Sequence, residues 1–109
     1  MNRFDGDLVS GPLELRTWQP GDQYRPVGRA TEVKLKTLFQ EEKIPIWERR
    51  TWPVLAADGV LVWSRRFGVG AAFAAGPASR RVISVREQSV ASAESYSQNQ
   101  NQEPDVQRL

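Results

Sequence analysis

The sequence predicts an α+β fold, in which a helical elbow packs on a small mixed β-sheet. Residues 34–52 combine an apolar stripe of helical period with a proline break, which predicts a helix followed by a short second helix. The stripe consists of Leu35, Leu38 and Phe39. Residues 53–63 form two apolar runs around an Asp-Gly pair, the strongest hairpin signal in the chain. These two stretches organise the remaining elements.

The composition restricts the chemistry that the chain can perform. A chain of 109 residues is one domain at most, and it contains no cysteine and no histidine. Disulfides, thiolate metal sites, cysteine nucleophiles and histidine acid–base devices are therefore excluded. No apolar run approaches the roughly 20 residues of a membrane span, and the N-terminus has no apolar signal core. We expect a soluble cytoplasmic protein without a membrane partner.

The charge is distributed unevenly along the chain. Residues 1–86 carry 14 Lys+Arg and 9 Asp+Glu, a net charge of +5, whereas residues 87–109 carry one arginine and four acids, a net charge of −3. A basic body with an acidic tail raises the hypothesis of a polyanionic partner such as nucleic acid. The alternative is an ordinary domain with a solvated basic surface.

The first part of the chain predicts a strand and a rigid loop. Residues 1–12 form either a lead-in or a short first strand, and residues 13–18 alternate as a half-buried strand does, with Leu13 and Leu15 on one face. Residues 19–29 contain two prolines and two glycines, which predicts an irregular loop. Its arginines either contact phosphate through planar bidentate hydrogen bonds or lie in solvent on a structural connection.

The helical elbow follows this loop. Thr31 is the expected N-cap of the first helix, and Glu32 suits the positive end of its dipole. Pro45 ends the first helix and is well placed at the first turn of the second, since its missing N–H has no intrahelical partner there. The elbow is predicted to turn its apolar residues inward and its lysines and arginines outward.

The last part of the chain completes the sheet. The hairpin is followed by a glycine- and alanine-rich turn at residues 68–76 and by a last strand at residues 80–86. Residues 87–109 are rich in Ser, Gln, Asn and Glu and have too little apolar surface to offset the entropy of ordering. We therefore predict a folded domain at residues 13–86 and a disordered polar tail at residues 87–109.

Catalytic motifs are missing from the sequence. The GxG spacing at residues 68–70 lacks the third glycine and the surrounding βαβ unit of a phosphate-binding loop. The carboxylates are isolated in sequence or adjacent on the predicted helix, and no metal-ligand spacing occurs. The residues thus argue against a complete enzyme and against a bound cofactor.

Three ordered motifs carry a resemblance to a known family. Residues 21–28 read Gly-Asp-Gln-Tyr-Arg-Pro-Val-Gly, residues 34–39 read Lys-Leu-Lys-Thr-Leu-Phe, and residues 44–49 read Ile-Pro-Ile-Trp-Glu-Arg. In this order and spacing they resemble the C-terminal domain of bacterial tRNA(Ile)-lysidine synthetase. The resemblance extends over about residues 13–86.

The resemblance implies a function without catalysis in this chain. The full enzyme of that family uses ATP to join lysine to the wobble cytidine of an isoleucine tRNA. An N-terminal domain marked by a Ser-Gly-Gly-x-Asp-Ser motif performs this chemistry, and no such stretch occurs here. ATP and Mg²⁺ are therefore expected only in that catalytic domain. The C-terminal domain of the family helps to hold the tRNA on its acceptor-stem side.

The resemblance also implies roles for individual residues. The implied tRNA contacts are Arg25, Arg29, Lys34, Lys36, Arg49 and Arg50. The implied framework that holds them is Tyr24, Pro26, Leu35, Phe39, Pro45 and Trp47. The sequence thus predicts a tRNA-binding module. The competing hypothesis is a non-catalytic interaction module that docks on another protein domain, such as the catalytic domain of the synthetase.

Overall fold

The structure, a computed structural model, describes residues 2–88 as short strands and helices in an α+β arrangement, which confirms the predicted fold class. The strands are β1 (Arg3–Asp5), β2 (Leu13–Thr17), β3 (Gln23–Tyr24), β4 (Val33–Lys34), β5 (Pro53–Ala57), β6 (Val60–Ser64), β7 (Gly68–Val69) and β8 (Val82–Ser84). The helices are α1 (Leu35–Glu41) and α2 (Ile46–Arg49), and short 3₁₀ turns lie at Gly6–Leu8 and Ala71–Phe73. The predicted tail falls outside the described residues except for its first two positions.

A four-stranded sheet in the order β2-β5-β6-β7 forms the centre of the fold, and β1–β8 and β3–β4 are separate two-stranded ribbons. Every strand pair within residues 2–88 is antiparallel. The predicted hairpin is the β5–β6 pair. Its turn residues Asp58 and Gly59 have φ values of 51° and 77°, as a type I′ turn requires.

The two faces of the central sheet are covered by different elements. Alternate residues of β5 point to opposite faces, so Val54 and Ala56 pack with the elbow while Leu55 and Ala57 pack with the β1–β8 ribbon. The core under the elbow contains Tyr24, Leu35, Leu38, Phe39, Ile44, Trp52, Val54, Ala56 and Leu61. The core under the ribbon contains Phe4, Ala57, Val62, Trp63 and Val69.

Helix α1 begins later than the sequence predicts. Residues 33 and 34 pair with β3 instead of entering the helix, so Thr31 is not the N-cap, and Lys34 takes that position in an extended conformation. No side chain of residues 2–88 caps the helix. The backbone N–H of Leu35 instead donates to the carbonyl oxygen of Asp22 at 3.0 Å, which satisfies one of the free amides at the helix start.

Helix α1 ends in a Schellman motif rather than at the proline. Lys43 adopts a left-handed conformation with φ 55°, and its N–H donates to the carbonyl oxygen of Gln40. The N–H of Ile44 donates to the carbonyl oxygen of Phe39 at 2.8 Å, and the Ile44 side chain is buried. This motif turns the chain before Pro45, which then serves as the N-cap of α2.

The expectation of a half-buried β2 was wrong. Leu13 is 39% exposed and Leu15 is 70% exposed. Among the residues that the structure describes, strand β2 is the edge of the central sheet and pairs only with β5. Leu55 packs against the core under the β1–β8 ribbon, but this core does not extend to the two leucines of the neighbouring strand.

Candidate nucleic-acid interface

The β3–β4 ribbon places predicted site residues on its outward face. In the register of the ribbon Gln23 lies opposite Lys34, and the inward pair is Tyr24 and Val33. The Gln23 Nε2 donates to Glu32 Oε1 at 3.0 Å across the outward face. Because side chains alternate along a strand, Arg25, which directly follows β3, belongs to the same outward face as Gln23 and Lys34.

A tight turn and a carboxylate fix the loop that precedes this ribbon. The N–H of Asp22 donates to the carbonyl oxygen of Gln19, and Gly21 between them has a φ of 96°, which the third position of a type II turn requires. The carboxylate of Asp22 accepts from the Gln19 N–H at 2.7 Å. It also accepts from both terminal nitrogens of Arg16, at 3.0 and 3.1 Å.

Asp22 therefore joins three elements: strand β2 through Arg16, the loop through Gln19, and the start of α1 through the Leu35 amide. Hydrogen bonding to Asp22 raises the pKa of Arg16 above its ordinary value, against the opposing effect of burial. Sequence reasoning missed this ion pair. The available signal was an Arg and an Asp that flank a Pro-Gly turn six residues apart.

We expect Asp22→Ala to lower the free energy of unfolding by about 2–3 kcal/mol, because charge-assisted hydrogen bonds are lost and a partly buried guanidinium remains without its partner. The side chains of Arg16 and Asp22 are 19% and 12% exposed. Denaturant unfolding monitored by tryptophan fluorescence measures the change. Glu14→Ala, an exposed carboxylate on the same strand, is the control and should change stability by less than about 0.5 kcal/mol. Equal losses would contradict the structural role of Asp22.

The two loop arginines are exposed, but they are held differently. The Arg25 Nη1 donates to the backbone carbonyl oxygen of Arg29 at 3.0 Å, and Arg25 forms no salt bridge within residues 2–88. Arg29 Nη2 contacts Glu41 Oε1 at 2.6 Å, so a carboxylate of α1 already neutralises this guanidinium. Arg25 is the better placed of the two for an external anion.

The two lysines lie at the start of α1. Lys34 is its N-cap and Lys36 is in its first turn, and both are exposed. Neither forms a salt bridge within the part of the chain that the structure describes. At about 100° per residue, Lys36 is about 140° around the helix from Glu41. The Lys36 flank is therefore separate from the flank that contacts Arg29.

The two elbow arginines differ in burial and in their contacts. Arg49 is half-buried, its Nε donates to the carbonyl oxygen of Ile44 at 2.8 Å, and its guanidinium carbon lies 5.3 Å from the centre of the Phe39 ring. Arg50 is exposed and makes no salt bridge within residues 2–88. The structure thus ties Arg49 to the elbow and leaves Arg50 accessible.

Four of the six predicted framework residues are buried, Pro45 is half-buried, and Trp47 is exposed. Tyr24, Leu35 and Phe39 are each no more than 4% exposed, and the Tyr24 hydroxyl donates to the carbonyl oxygen of Gly68 at 2.7 Å. Burial raises the pKa of Tyr24. Trp47 was expected in this framework, but it is 71% exposed. The physical reason is the left-handed turn at Lys43, which directs Ile44 into the core and leaves α2 on the outside.

Other kinds of site are not apparent in the described residues. Within residues 2–88 no group of three or more potential metal ligands comes together. No helix among these residues is long and apolar enough to cross a membrane. The clearest functional feature is the set of exposed cations on the ribbon, on the first turn of α1 and at the end of α2.

Comparison with known proteins identifies relatives. Residues 13–87 match the model of a family described as the TilS substrate C-terminal domain. The chain is 51% identical to a tRNA(Ile)-lysidine synthase of Solibacter usitatus over 87 residues, which cover 80% of this chain and 20% of the relative. It is 35% identical to that of Geobacter sulfurreducens over 85 residues, which cover 76% of this chain and 18% of the relative.

A solved structure shows the same fold. It is described as the crystal structure of the TILS C-terminal domain, and it superposes with a TM-score of 0.61 at 30% sequence identity. The match covers 79% of this chain and 72% of the solved one. The chain therefore spans about one fifth of the length of the curated relatives and most of one solved domain.

Proposed function

Because the chain belongs to the TilS substrate C-terminal domain family, we propose that it binds tRNA as the non-catalytic part of a tRNA(Ile)-lysidine synthase in the bacterial cytoplasm. The observation that carries this proposal is that four of the six cations implied as tRNA contacts are exposed and form no salt bridge within residues 2–88. The set, which we call the basic surface, is Arg25, Lys34, Lys36 and Arg50. By contrast, Arg29 and Arg16 are each paired with an acid.

The basic surface suits recognition of shape and phosphate. In A-form RNA the major groove is too narrow for side chains, so a protein contacts phosphates and 2′-hydroxyl groups. Phosphate contacts position a protein without reading sequence. We propose that the basic surface contacts the backbone on the acceptor-stem side of the tRNA, and that Arg49 positions the elbow without touching RNA.

We place the chemistry outside this chain. The names of the relatives describe a synthase, and the matched region is only about a fifth of each. ATP, Mg²⁺ and the lysine-transfer reaction then belong to the remaining part of such a protein. In this proposal the C-terminal domain increases the affinity for tRNA and contributes no catalytic residue.

Single substitutions in the basic surface test the proposal. Each residue of the basic surface is replaced singly with alanine, as Arg25→Ala, Lys34→Ala, Lys36→Ala and Arg50→Ala. Each substitution should weaken tRNA binding and reduce the magnitude of the slope of log affinity against log salt by just under 1, because it removes one phosphate contact. Fluorescence anisotropy with labelled tRNA at several salt concentrations measures this slope. The matched control is Arg3→Ala, since Arg3 is an exposed arginine of β1, on the other face of the sheet. If Arg3→Ala lowers the slope as much as the four others, the interface is misplaced.

A second function is favoured by a different surface. The exposed Leu13 and Leu15 lie on the edge strand β2, and an edge strand with apolar side chains is suited to contact with another protein domain. In that case the chain would dock on the catalytic domain of the synthase, and its basic surface would be solvated. Binding to that domain that is insensitive to salt, together with no affinity for tRNA, would favour this alternative.

A further inference from the structure

Trp47 is the most exposed tryptophan in the described part of the chain. Its side chain is 71% exposed, whereas Trp52 and Trp63 are 2% and 3% exposed, and Trp18 packs against the Phe39 ring. An indole presents a large, rigid apolar surface with little conformational entropy to lose, which suits contact with a partner. Because Trp47 contributes little to the core, its exposed ring is available for binding.

Helix α2 places the Trp47 ring and Arg50 on the same face. Arg50, the residue that caps α2, has helical φ and ψ values of −58° and −33°, so the helical geometry continues through it. Trp47 and Arg50 are three residues apart, and side chains at this spacing are neighbours on one face of a helix. Arg49 instead contacts the Ile44 carbonyl oxygen and the Phe39 ring, which fixes the orientation of the helix.

The size and charge of this surface indicate its ligand. A stable protein interface buries about 800 Å² on each partner, far more than one indole and its neighbours provide on a helix of four residues. A single ring matches the area of one nucleobase. The exposed charges that neighbour it in sequence, Lys43 and Arg50 against Glu48, are net positive, and a positive surface favours a polyanionic ligand. A nucleic acid with an accessible base fits better than a protein.

We propose that Trp47 stacks on an unpaired base of the bound RNA while the Arg50 guanidinium contacts the adjacent phosphate. Proteins recognise single-stranded nucleotides in this way, with aromatic stacking and a neighbouring cation. This inference rests on the proposed function and adds to it a contact with an unpaired nucleotide. The remainder of the basic surface would contact the paired region.

Two RNA hairpins test the inference. They share one stem, but the first ends blunt and the second continues into a short single-stranded extension of adenosines. The wild-type chain should bind the extended hairpin more tightly. Trp47→Ala should lose about ten-fold in affinity for the extended hairpin and bind the blunt one as the wild type does. Trp47→Phe should retain most of the affinity, because an aromatic ring remains.

A neighbouring residue supplies the matched control. Ile46 is also exposed, at 66%, but adjacent helix positions point in different directions, so Ile46→Ala should bind both hairpins normally. Stacking also has a spectroscopic signature: the extended hairpin should quench the fluorescence of the wild type more than that of Trp47→Phe, because the other tryptophans are buried or packed against the core. Thermal melting confirms that each variant is folded.

Each other outcome overturns the inference. Wild-type affinity of Trp47→Ala for the extended hairpin would exclude stacking, and equal losses for both hairpins would exclude a contact specific to unpaired bases. If Trp47→Ala binds RNA normally but loses affinity for a protein domain, the ring is a protein contact. In these cases, if the wild type still binds both hairpins in a salt-dependent way, the proposed function of RNA binding is retained. If the wild type binds neither hairpin, both proposals fail.

Discussion

Replacing Phe39 with alanine is expected to lower the free energy of unfolding by about 3–5 kcal/mol. The ring is fully buried, and it lies 5.0 Å from Trp18 and 5.1 Å from Trp52, both in edge-to-face geometry. The guanidinium of Arg49 lies over it. Truncation would leave a cavity between the elbow and the sheet, where three aromatic or cationic groups lose their common contact. Since a small domain has about 5–15 kcal/mol of stability, this is a large share.

Chemical denaturation monitored by circular dichroism measures this effect, and Trp47→Ala is the informative control. Both substitutions remove a large aromatic ring from the elbow, but Trp47 is 71% exposed, so its replacement should change stability by less than about 0.5 kcal/mol. A loss for Trp47→Ala that equals the loss for Phe39→Ala would show that α2 packs differently from the structure.

The second large effect concerns binding. Replacing Arg25, Lys34, Lys36 and Arg50 together with alanine is expected to weaken tRNA binding on the order of a hundred- to a thousand-fold at roughly 0.1 M salt, because four phosphate contacts are lost at once. Stability should change little, since none of the four side chains forms a salt bridge within residues 2–88. Anisotropy titration with labelled tRNA measures the affinity.

A control variant that loses a similar amount of positive charge elsewhere distinguishes binding at the basic surface from a general effect of net charge. Arg3, Arg80 and Arg86 are exposed arginines in or beside the β1–β8 ribbon, on the other face of the central sheet, and they form no salt bridge in the described part of the chain. Replacing these three with alanine should reduce affinity only slightly. If both multiple variants weaken binding to the same extent, tRNA is attracted by the net charge alone.

The elements that were predicted correctly depend on local spacing. The Asp-Gly pair between two apolar runs specifies a hairpin turn through the φ preferences of its own two residues, and the structure has that turn at residues 58 and 59. The stripe of Leu35, Leu38 and Phe39 specifies one face of a helix in the same way, and all three are buried. Neither inference needs information from distant residues.

The errors depend on contacts that are distant in sequence. Helix α1 begins at Leu35 because the carbonyl of Asp22, thirteen residues earlier, accepts its amide, and no capping pattern at Thr31 reveals this. Leu15 alternates like a buried residue but is exposed, because strand order decides which strand lies at the edge. Trp47 is apolar and follows the first helix closely, yet the turn at Lys43 places it outside.

For the candidate site, too, the sequence alone did not reveal the contacts between side chains. The resemblance to the synthetase domain implied which basic residues to consider, but only the three-dimensional contacts separate those that are already bonded within the chain from those that are accessible. Arg29 is paired with Glu41, and Arg49 is bound to the Ile44 carbonyl oxygen. These partners lie twelve and five residues away, at positions that a helix and a turn bring close. The implied contact residues that remain accessible are those of the basic surface.

A salt titration of tRNA binding, carried out with the full chain and with the variant that lacks all four cations of the basic surface, shows whether this surface holds the RNA backbone. We expect the log affinity of the wild type to fall linearly with log salt, with a slope of about −3.6 or steeper, and the slope of the variant to be smaller in magnitude by about 3.6. Equal slopes for the two proteins, or tRNA binding by the wild type that does not depend on salt, would contradict the claim that the basic surface holds the RNA backbone.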